Sequence, residues 1–405
     1  MNAPPRPAAP PAVRNVMASL RAGDFATALA EAEAAIAKGG ADRAALLALA
    51  GLAAGRAGEH ARAVQHLRAL LALQPGDAAT RTNLARALIE AGDADAALAL
   101  VDGSEHPPLA RIEGFVRQQR GDHAGAAAAY ARVLAREPED VAALNNLGNA
   151  LAALGEVDAA IEHFERAITL APRETGIYLN LAQVLREADR AAPRLKVMRD
   201  AAAIAPEDRA VLTELALAYG HDDQFEPALT LLEQICAAHP EFGESQIELG
   251  RMYESFNRID DLRALVAQIG PDAPPEAGFL RAWLALRENH FDDAAAEAAA
   301  IPETIDPMRR AHLVGAIAER RGDTAAAFAA FTAMNQATIM AAQPDGETYR
   351  ASVERRAAEW TPQWAARWRR PEQPGEDPRD PIFLVGFPRS GTTLLDTMLM
   401  GLPEL

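Results

Sequence analysis

The sequence predicts an all-α protein, and three observations support this fold class. Hydrophobic residues make up 49% of the 405 residues but aromatic residues only 5%, and alanine supplies much of the apolar share. Alanine-rich chains with few aromatic residues favour helix. Apolar and small residues also recur with a period of about 34 residues. Each unit is interrupted near its middle and closed near its end by turn residues, which is typical of paired helices.

The clearest unit spans Val141–Glu174, and it predicts two amphipathic helices. Gly155 interrupts the apolar pattern in the middle of the unit, and Pro172 ends it. Small residues allow the two helices to approach closely, and these are Gly148, Ala160 and Ala167. The larger apolar residues fill the space between the helices, and these are Leu144, Leu147, Leu151 and Phe164.

The same pattern recurs along most of the chain. Good copies begin at residues 44, 107, 175 and 209, and weaker copies begin near residues 9, 78, 243, 275 and 308. An alanine-rich helical bundle without true repeats would also fit the composition. It does not explain why five units keep a proline near position 32, counted from the first residue of each unit.

The repeat resembles the tetratricopeptide repeat (TPR) in its period and in the placement of its small and large residues. The resemblance covers roughly residues 10–340 and is strongest over 107–240. It implies a right-handed superhelical solenoid of about nine to ten repeats over residues 13–340. It also implies a concave groove that binds protein or peptide partners.

Three asparagines share one position of the repeat and are candidates for peptide binding. Asn83, Asn146 and Asn180 each fall at position 6, on the first helix and on the expected concave side. A side-chain amide there offers a donor and an acceptor to a peptide backbone. The alternative is that asparagine is simply common at this position. Other units interrupt the series, with Ile112, Glu214 and Glu248.

Charge and cysteine content limit the class of protein. The formal charge is 40 − 57 = −17, which argues against binding to nucleic acid. Cys236 is the single cysteine, so no intrachain disulfide can form and a reducing compartment fits. The histidines are scattered without ligand spacing, so we expect no metal site.

The ends and the hydropathy of the chain point to a cytoplasmic protein. Residues 1–12 are proline-rich, lack the apolar core of a signal peptide and are expected to form a disordered lead-in. No run of about 18 uncharged apolar residues appears, so we expect no membrane span.

Residues 341–380 are expected to form a connector helix followed by a linker rich in proline and acidic residues. Trp360, Trp364 and Trp368 recur every four residues and line one helical stripe. Such a stripe suits a helix that docks on a neighbouring domain, and a ligand-stacking platform is the alternative. Arginines make the stretch locally basic, either as a solvated face or as an attraction for an anionic group.

The segment Pro381–Leu399 predicts a strand, a tight turn and the start of a helix. Ile382–Val385 is a continuous apolar run of the kind found in buried parallel strands. Gly386 and Gly391 have the spacing of a phosphate-binding loop, but Thr392 stands where such loops carry lysine. The free amides at the start of the helix favour an anion, and Arg389 can bind two phosphate oxygens.

The stretch Phe387–Leu395, FPRSGTTLL, is similar to the 5′-phosphosulfate-binding loop of sulfotransferases, especially those of the protein-tyrosine type. The resemblance implies that five residues bind PAPS (3′-phosphoadenosine 5′-phosphosulfate) without a metal, and these are Arg389, Ser390, Gly391, Thr392 and Thr393. It further implies sulfuryl transfer to a hydroxyl acceptor, with protein tyrosine as one candidate. A chance strand–turn–helix and a nucleoside-triphosphate enzyme with a variant loop are the alternatives.

Residues 381–405 are expected to be only the start of that α/β domain. A nucleotide-binding domain needs on the order of 150 residues, and one strand with one helix leaves hydrogen-bonding edges unpaired. The family's general base and 3′-phosphate ligands follow the loop, so we expect the 405-residue chain itself to be inactive. A non-catalytic TPR scaffold is the alternative function.

Overall fold

The computed structural model describes residues 10–39, 42–270 and 272–341. Within these ranges the chain forms twenty α-helices, one short 3-10 turn at Pro275–Ala277 and no strand. The helices are α1 (Pro11–Arg21), α2 (Phe25–Lys38), α3 (Arg43–Arg56), α4 (His60–Leu73), α5 (Ala78–Glu90), α6 (Ala94–Val101), α7 (Pro107–Gln119), α8 (His123–Arg136), α9 (Val141–Ala153), α10 (Val157–Leu170), α11 (Thr175–Glu187), α12 (Ala191–Ile204), α13 (Arg209–His221), α14 (Phe225–Ala238), α15 (Glu244–Ser255), α16 (Ile259–Ile269), α17 (Gly278–Arg287), α18 (Phe291–Ala299), α19 (Pro307–Arg320) and α20 (Thr324–Ala341).

The helices stack in sequence as a solenoid. Each helix from α1 to α18 packs against the next one along the chain, and first helices of successive pairs also touch, as α11 does with α13. The first compact unit ends at Ala327. The second begins at Phe328, and its described part is the remainder of α20. The all-α prediction is therefore confirmed for the described residues, whereas the strand predicted at residues 382–385 lies outside them.

Close contact between positions 8 and 24 of a unit holds the two helices of several pairs together. Gly148 on α9 faces Phe164 on α10, which is completely buried. A Cβ atom at Gly148 would lie 2.8 Å from Cζ of Phe164. The same relation joins Gly51 to Leu67 and Gly114 to Tyr130. Glycine at position 8 thus sets how near the helices approach, because the large side chain at position 24 fills the space that a side chain would need.

The turn within each helix pair requires a left-handed backbone at position 15. Glycine supplies it in six pairs, at Gly23, Gly58, Gly92, Gly121, Gly155 and Gly322. In four successive pairs an aspartate or asparagine takes the same conformation, at Asp189, Asp223, Asn257 and Asn289. Both solutions follow from sterics, since glycine has no Cβ atom and Asp and Asn tolerate this region best among the other residues.

Aspartate side chains start many of the helices. An aspartate caps a helix and accepts a hydrogen bond from a backbone N–H two or three residues later at Asp24, Asp77, Asp93, Asp122, Asp140, Asp208, Asp306 and Asp323. Hydrogen bonds to Thr27 lower the pKa of Asp24, and those to Thr80 lower the pKa of Asp77. Part of the acidic excess of the chain is therefore used to begin helices.

A buried ion-pair cluster replaces an apolar contact in the pair α7–α8. Glu113 stands at position 7, where the units starting at residues 141, 175 and 209 carry leucine, and only 2% of it is exposed. Its carboxylate accepts hydrogen bonds from Arg117 Nε at 3.0 Å, from Arg132 Nη2 at 2.5 Å and from the Gly103 N–H at 3.0 Å. The buried charge is fully paired, so the cluster is structural.

We expect Gly148→Ala to destabilise the protein and Gly55→Ala to stabilise it. The first places a Cβ atom 2.8 Å from Phe164, whereas the second places one in open space within α3. Overpacking costs typically about 1–3 kcal/mol, and replacing a helical glycine by alanine gains up to about 1 kcal/mol. Urea unfolding followed by circular dichroism measures both. Equal stability of the two variants would show that position 8 does not limit the approach of the helices.

We expect Gly155→Val to lower the free energy of unfolding by about 1–2 kcal/mol, because a side chain in the left-handed region clashes with the backbone. The matched change is Asn257→Gly in another pair, which removes a side chain from the same conformation. That variant should remain within about 0.5 kcal/mol of the wild type. Thermal unfolding distinguishes the two, and a loss for Asn257→Gly as large as that for Gly155→Val would contradict the backbone explanation.

Candidate functional site

The three predicted asparagines do not form one continuous series. Asn146 lies on α9 and Asn180 on α11, both half-buried on neighbouring first helices. Asn83 lies on α5 and is exposed, and helix α7 lies between α5 and α9 in the stack. The structure therefore brings Asn146 and Asn180 into one region and leaves Asn83 outside it.

A fourth asparagine links the two that come together. Asn180 Nδ2 donates to Asn145 Oδ1 at 2.9 Å, and Asn145 Nδ2 donates to Asn146 Oδ1 at 3.3 Å. Asn145 stands at position 5 of its unit and was not predicted, although its pairing with Asn146 in the sequence could have indicated it. The bonds fix the orientation of the amides. Within the described part of the chain, they leave the carbonyl oxygen of Asn180 available as an acceptor.

The amide chain ends at a buried tyrosine. Burial raises the pKa of Tyr130 to about 12, and its hydrogen bond with Asn146 acts in the opposite direction. The hydroxyl therefore stays protonated at neutral pH, and it donates to Gln118 Oε1 at 3.3 Å. Tyr130 is also the position-24 side chain that packs on Gly114, so the amide chain rests on the packing of the preceding helix pair.

Two adjoining cavities lie next to the asparagines, over helices α11, α13 and α15. The first has a volume of about 520 Å³, and Asn180, Gln183 and Thr213 line it. The second has a volume of about 540 Å³ and extends to α12, α14 and α19. Glu214 and Glu244 line both cavities. The two cavities therefore share a wall, and a chain segment could occupy both.

Charged side chains of both signs line the second cavity. They are Arg186, Arg194, Arg251 and Arg309 together with Glu214, Glu244 and Glu248. Glu248 is completely buried, and its Oε2 accepts from Arg251 at 3.2 Å while its Oε1 lies 2.6 Å from Arg309 Nη1. Partial burial and the charge of Glu248 raise the pKa of Glu244, although much of that side chain still faces solvent.

Arg194 is the residue of this cavity that departs most from the repeat. It occupies position 20, where eight of the ten units carry alanine and one carries Leu262. Its side chain is only 2% exposed, and its Nη2 donates to Glu214 Oε2 at 2.9 Å. Burial lowers the pKa of the Arg194 guanidinium. Sequence reasoning missed this arginine, yet the break in an otherwise small position was a signal for it.

An aromatic pair closes one side of the second cavity. The rings of Phe225 and Phe256 meet edge to face with centroids 5.5 Å apart. Their exposed fractions are 43% and 44%, which is high for phenylalanine. Leu217 and Met252 also line this cavity. It therefore combines fixed charges with an accessible apolar surface.

Comparison with known families agrees with this repeat geometry. One family model of the tetratricopeptide repeat matches residues 14–78 and 116–175. A second model of the same repeat matches residues 56–105. The chain carries tetratricopeptide repeats. Arrays of TPR units present extended surfaces on which protein or peptide partners bind.

Several solved structures are similar to parts of the chain. A TPR protein from Parabacteroides merdae is 14% identical, with a TM-score of 0.46, and the match covers 68% of this chain and 99% of that one. YrrB, described as a TPR protein with an unusual peptide-binding site, is 18% identical with a TM-score of 0.38, covering 43% and 92%. MamA from Desulfovibrio magneticus is 25% identical with a TM-score of 0.35, covering 41% and 92%. A search of the curated proteins finds no match.

The residues predicted to bind PAPS lie outside the described residues. These are Arg389, Ser390, Gly391, Thr392 and Thr393, and the tryptophan stripe of the connector lies outside them as well. In the described part of the TPR chain, no group of His, Cys, Asp or Glu side chains is arranged to hold a metal. None of the helices in that part combines the length and the apolar character that crossing a bilayer requires.

Proposed function

We propose that this protein is an interaction scaffold, and that its TPR array binds an extended peptide segment of a partner protein across α9, α11, α13 and α15. The observation that carries the proposal is the pair of adjoining cavities beside the linked asparagines. An extended peptide places unpaired N–H and C=O groups along both edges. Asn180 and Gln183 offer amide groups to such edges at one end of this surface.

The composition of the two cavities supports a peptide ligand over a small apolar one. The first presents the amide and hydroxyl groups of Asn180, Gln183 and Thr213 within a largely apolar wall. The second holds the exposed rings of Phe225 and Phe256 beside charged groups. The backbone of a peptide can form hydrogen bonds with the amide and hydroxyl groups of the first cavity, and its side chains can fill the second cavity. Alternation of side chains along an extended chain permits both at once.

The asparagines provide a direct test of this binding mode. Random 12-residue peptides displayed on phage would be selected on the full chain, and the recovered peptides measured by fluorescence anisotropy. We expect Asn180→Ala to weaken binding about fivefold to tenfold, since a hydrogen bond contributes about 1 kcal/mol. Asn146→Ala should have a smaller effect, because it supports the amide chain from its far end.

Asn83→Ala is the matched control, because it makes the same change at the same repeat position outside the cavities. It should bind the selected peptides as the wild type does. Unchanged affinity for Asn180→Ala, or an equal loss for Asn83→Ala, would contradict peptide binding at this surface.

A specific sequence motif favours a second, catalytic function. We propose that this protein also acts as a PAPS-dependent sulfotransferase, and the observation behind this is the stretch FPRSGTTLL at Phe387–Leu395. Arg389 and the hydroxyl groups that follow it would hold the 5′-phosphosulfate, and their donors would stabilise charge on the departing phosphate. The TPR array would then bring a protein substrate to the acceptor site.

Isothermal calorimetry with PAP, the desulfated cofactor, tests this second function. Arg389→Ala should weaken PAP binding about 10- to 100-fold, because hydrogen bonds to charged groups contribute about 1.5–3 kcal/mol. Arg379→Ala, which removes an equal charge from the preceding linker, should bind PAP normally. Preference for ATP with magnesium over PAP would instead identify a nucleoside-triphosphate enzyme.

A further inference from the structure

Arg194 is costly for the fold in a way that its contacts do not offset. A guanidinium that is 2% exposed has lost most of its hydration. Two of its N–H groups have acceptors, Glu214 Oε2 at 2.9 Å and the Leu217 carbonyl at a long 3.4 Å. Its Nε–H has no acceptor among the described residues. An unpaired buried donor is unfavourable, so the fold alone gives no reason for an arginine here.

Other TPR units of this chain show that the position does not require a charge. Position 20 is alanine in eight of the ten units, including Ala160 and Ala228 in the pairs on either side. Alanine lets the second helix pack closely on the first. Arg194 instead directs a cation from the second helix α12 into the cavity lined by first helices. This placement suggests a ligand that the other units do not bind.

The neighbouring arginines add donors that are only partly used. Arg186 is half exposed, and its nearest carboxylate, Glu187, is 3.9 Å away. Arg251 is 48% exposed and pairs with Glu248 on its own helix. Guanidinium groups outnumber carboxylates in this cavity by four to three, in a chain whose net charge is −17. The residues that line the cavity therefore carry a slight excess of positive charge, in contrast to the chain as a whole.

We infer that this cavity binds one acidic side chain of the partner peptide, next to a large apolar side chain that packs on Phe225 and Phe256. The inference rests on the proposed peptide binding and specifies its partner. Arg194 meets the carboxylate from the floor of the cavity, and Arg186 and Arg251 meet it from the rim. The net charge of −17 disfavours polyanions, so the ligand carries a single acidic residue in a neutral or basic context.

The shape of the site indicates which carboxylate of the peptide it binds, a side chain or the C-terminus. The cavity continues into the first one through the shared wall at Glu214 and Glu244. A peptide that occupies both cavities passes through the second without ending there. We therefore assign the recognised group to an internal Asp or Glu side chain rather than to a peptide C-terminus.

Peptides selected on the wild-type chain test this inference. They should be enriched in one Asp or Glu beside Phe, Tyr, Trp or Leu. Arg194→Ala should weaken their binding about 10- to 100-fold, which is the range for a charge-assisted hydrogen bond. Arg199→Ala is the matched control, because Arg199 lies on the same helix, is exposed and is not part of the cavity. It should bind as the wild type does.

Two further measurements separate recognition from damage to the fold. Arg186→Gln changes a half-exposed residue of the rim, whose ion pair with Glu187 is long at 3.9 Å, and it should weaken binding at least threefold while thermal stability is unchanged. Replacing the peptide's acidic residue by its amide should weaken binding to the wild type and cause no further loss with Arg194→Ala. This lack of additivity would show that the two groups meet.

The outcomes distinguish the two proposals. Peptides that depend on Asn180 but tolerate Arg194→Ala and Arg186→Gln would overturn the acidic-residue inference and leave peptide binding intact. Loss of binding on amidation of the peptide C-terminus, with no effect of the internal amide change, would also overturn it. Failure to select any peptide whose binding depends on Asn180 would overturn the proposed function and the inference together.

Discussion

Close packing between the two helices of a unit is the constraint on which the rest of this structure depends. Gly148 against Phe164, and Gly114 against Tyr130, bring the paired helices together at position 8 and position 24. Each pair buries its apolar face only against its neighbours, so stability accumulates from repeated local interfaces. Tyr130 connects this packing to the candidate binding surface, because the same side chain packs on Gly114 and hydrogen-bonds with the amide of Asn146.

The repeat could be predicted from the sequence because its causes are local. Helical periodicity, the turn at Gly155 and the proline at position 32 each act within one unit. The left-handed turn was visible as glycine in many units. In four units this glycine is replaced by Asp189, Asp223, Asn257 or Asn289. The sequence did not predict that these residues adopt the same left-handed conformation. The local requirement was the same, and a second residue type satisfied it.

The candidate site was only partly predictable, because it forms between units. Asn146 and Asn180 were found from their repeat position, but their linkage through Asn145 depends on the spacing of α9 and α11. Arg194 could not be recognised from the repeat pattern, which predicts a small residue at position 20 and is met by alanine in eight of the ten units. Its partner Glu214 interrupts the asparagine series in the sequence, and only the structure shows that it pairs with Arg194. The residues on which the proposed ligand site depends are therefore departures from the repeat.

The Arg194–Glu214 contact has a consequence for cooperativity along the array. Arg194 belongs to the unit of α11 and α12, whereas Glu214 belongs to the unit of α13 and α14. A ligand that contacts residues of both units adds a second link to the interface that these units already share. A ligand bound in the second cavity therefore couples the two units, so that local unfolding of one requires unfolding of the next. Binding would convert part of a loosely coupled array into a single unfolding block.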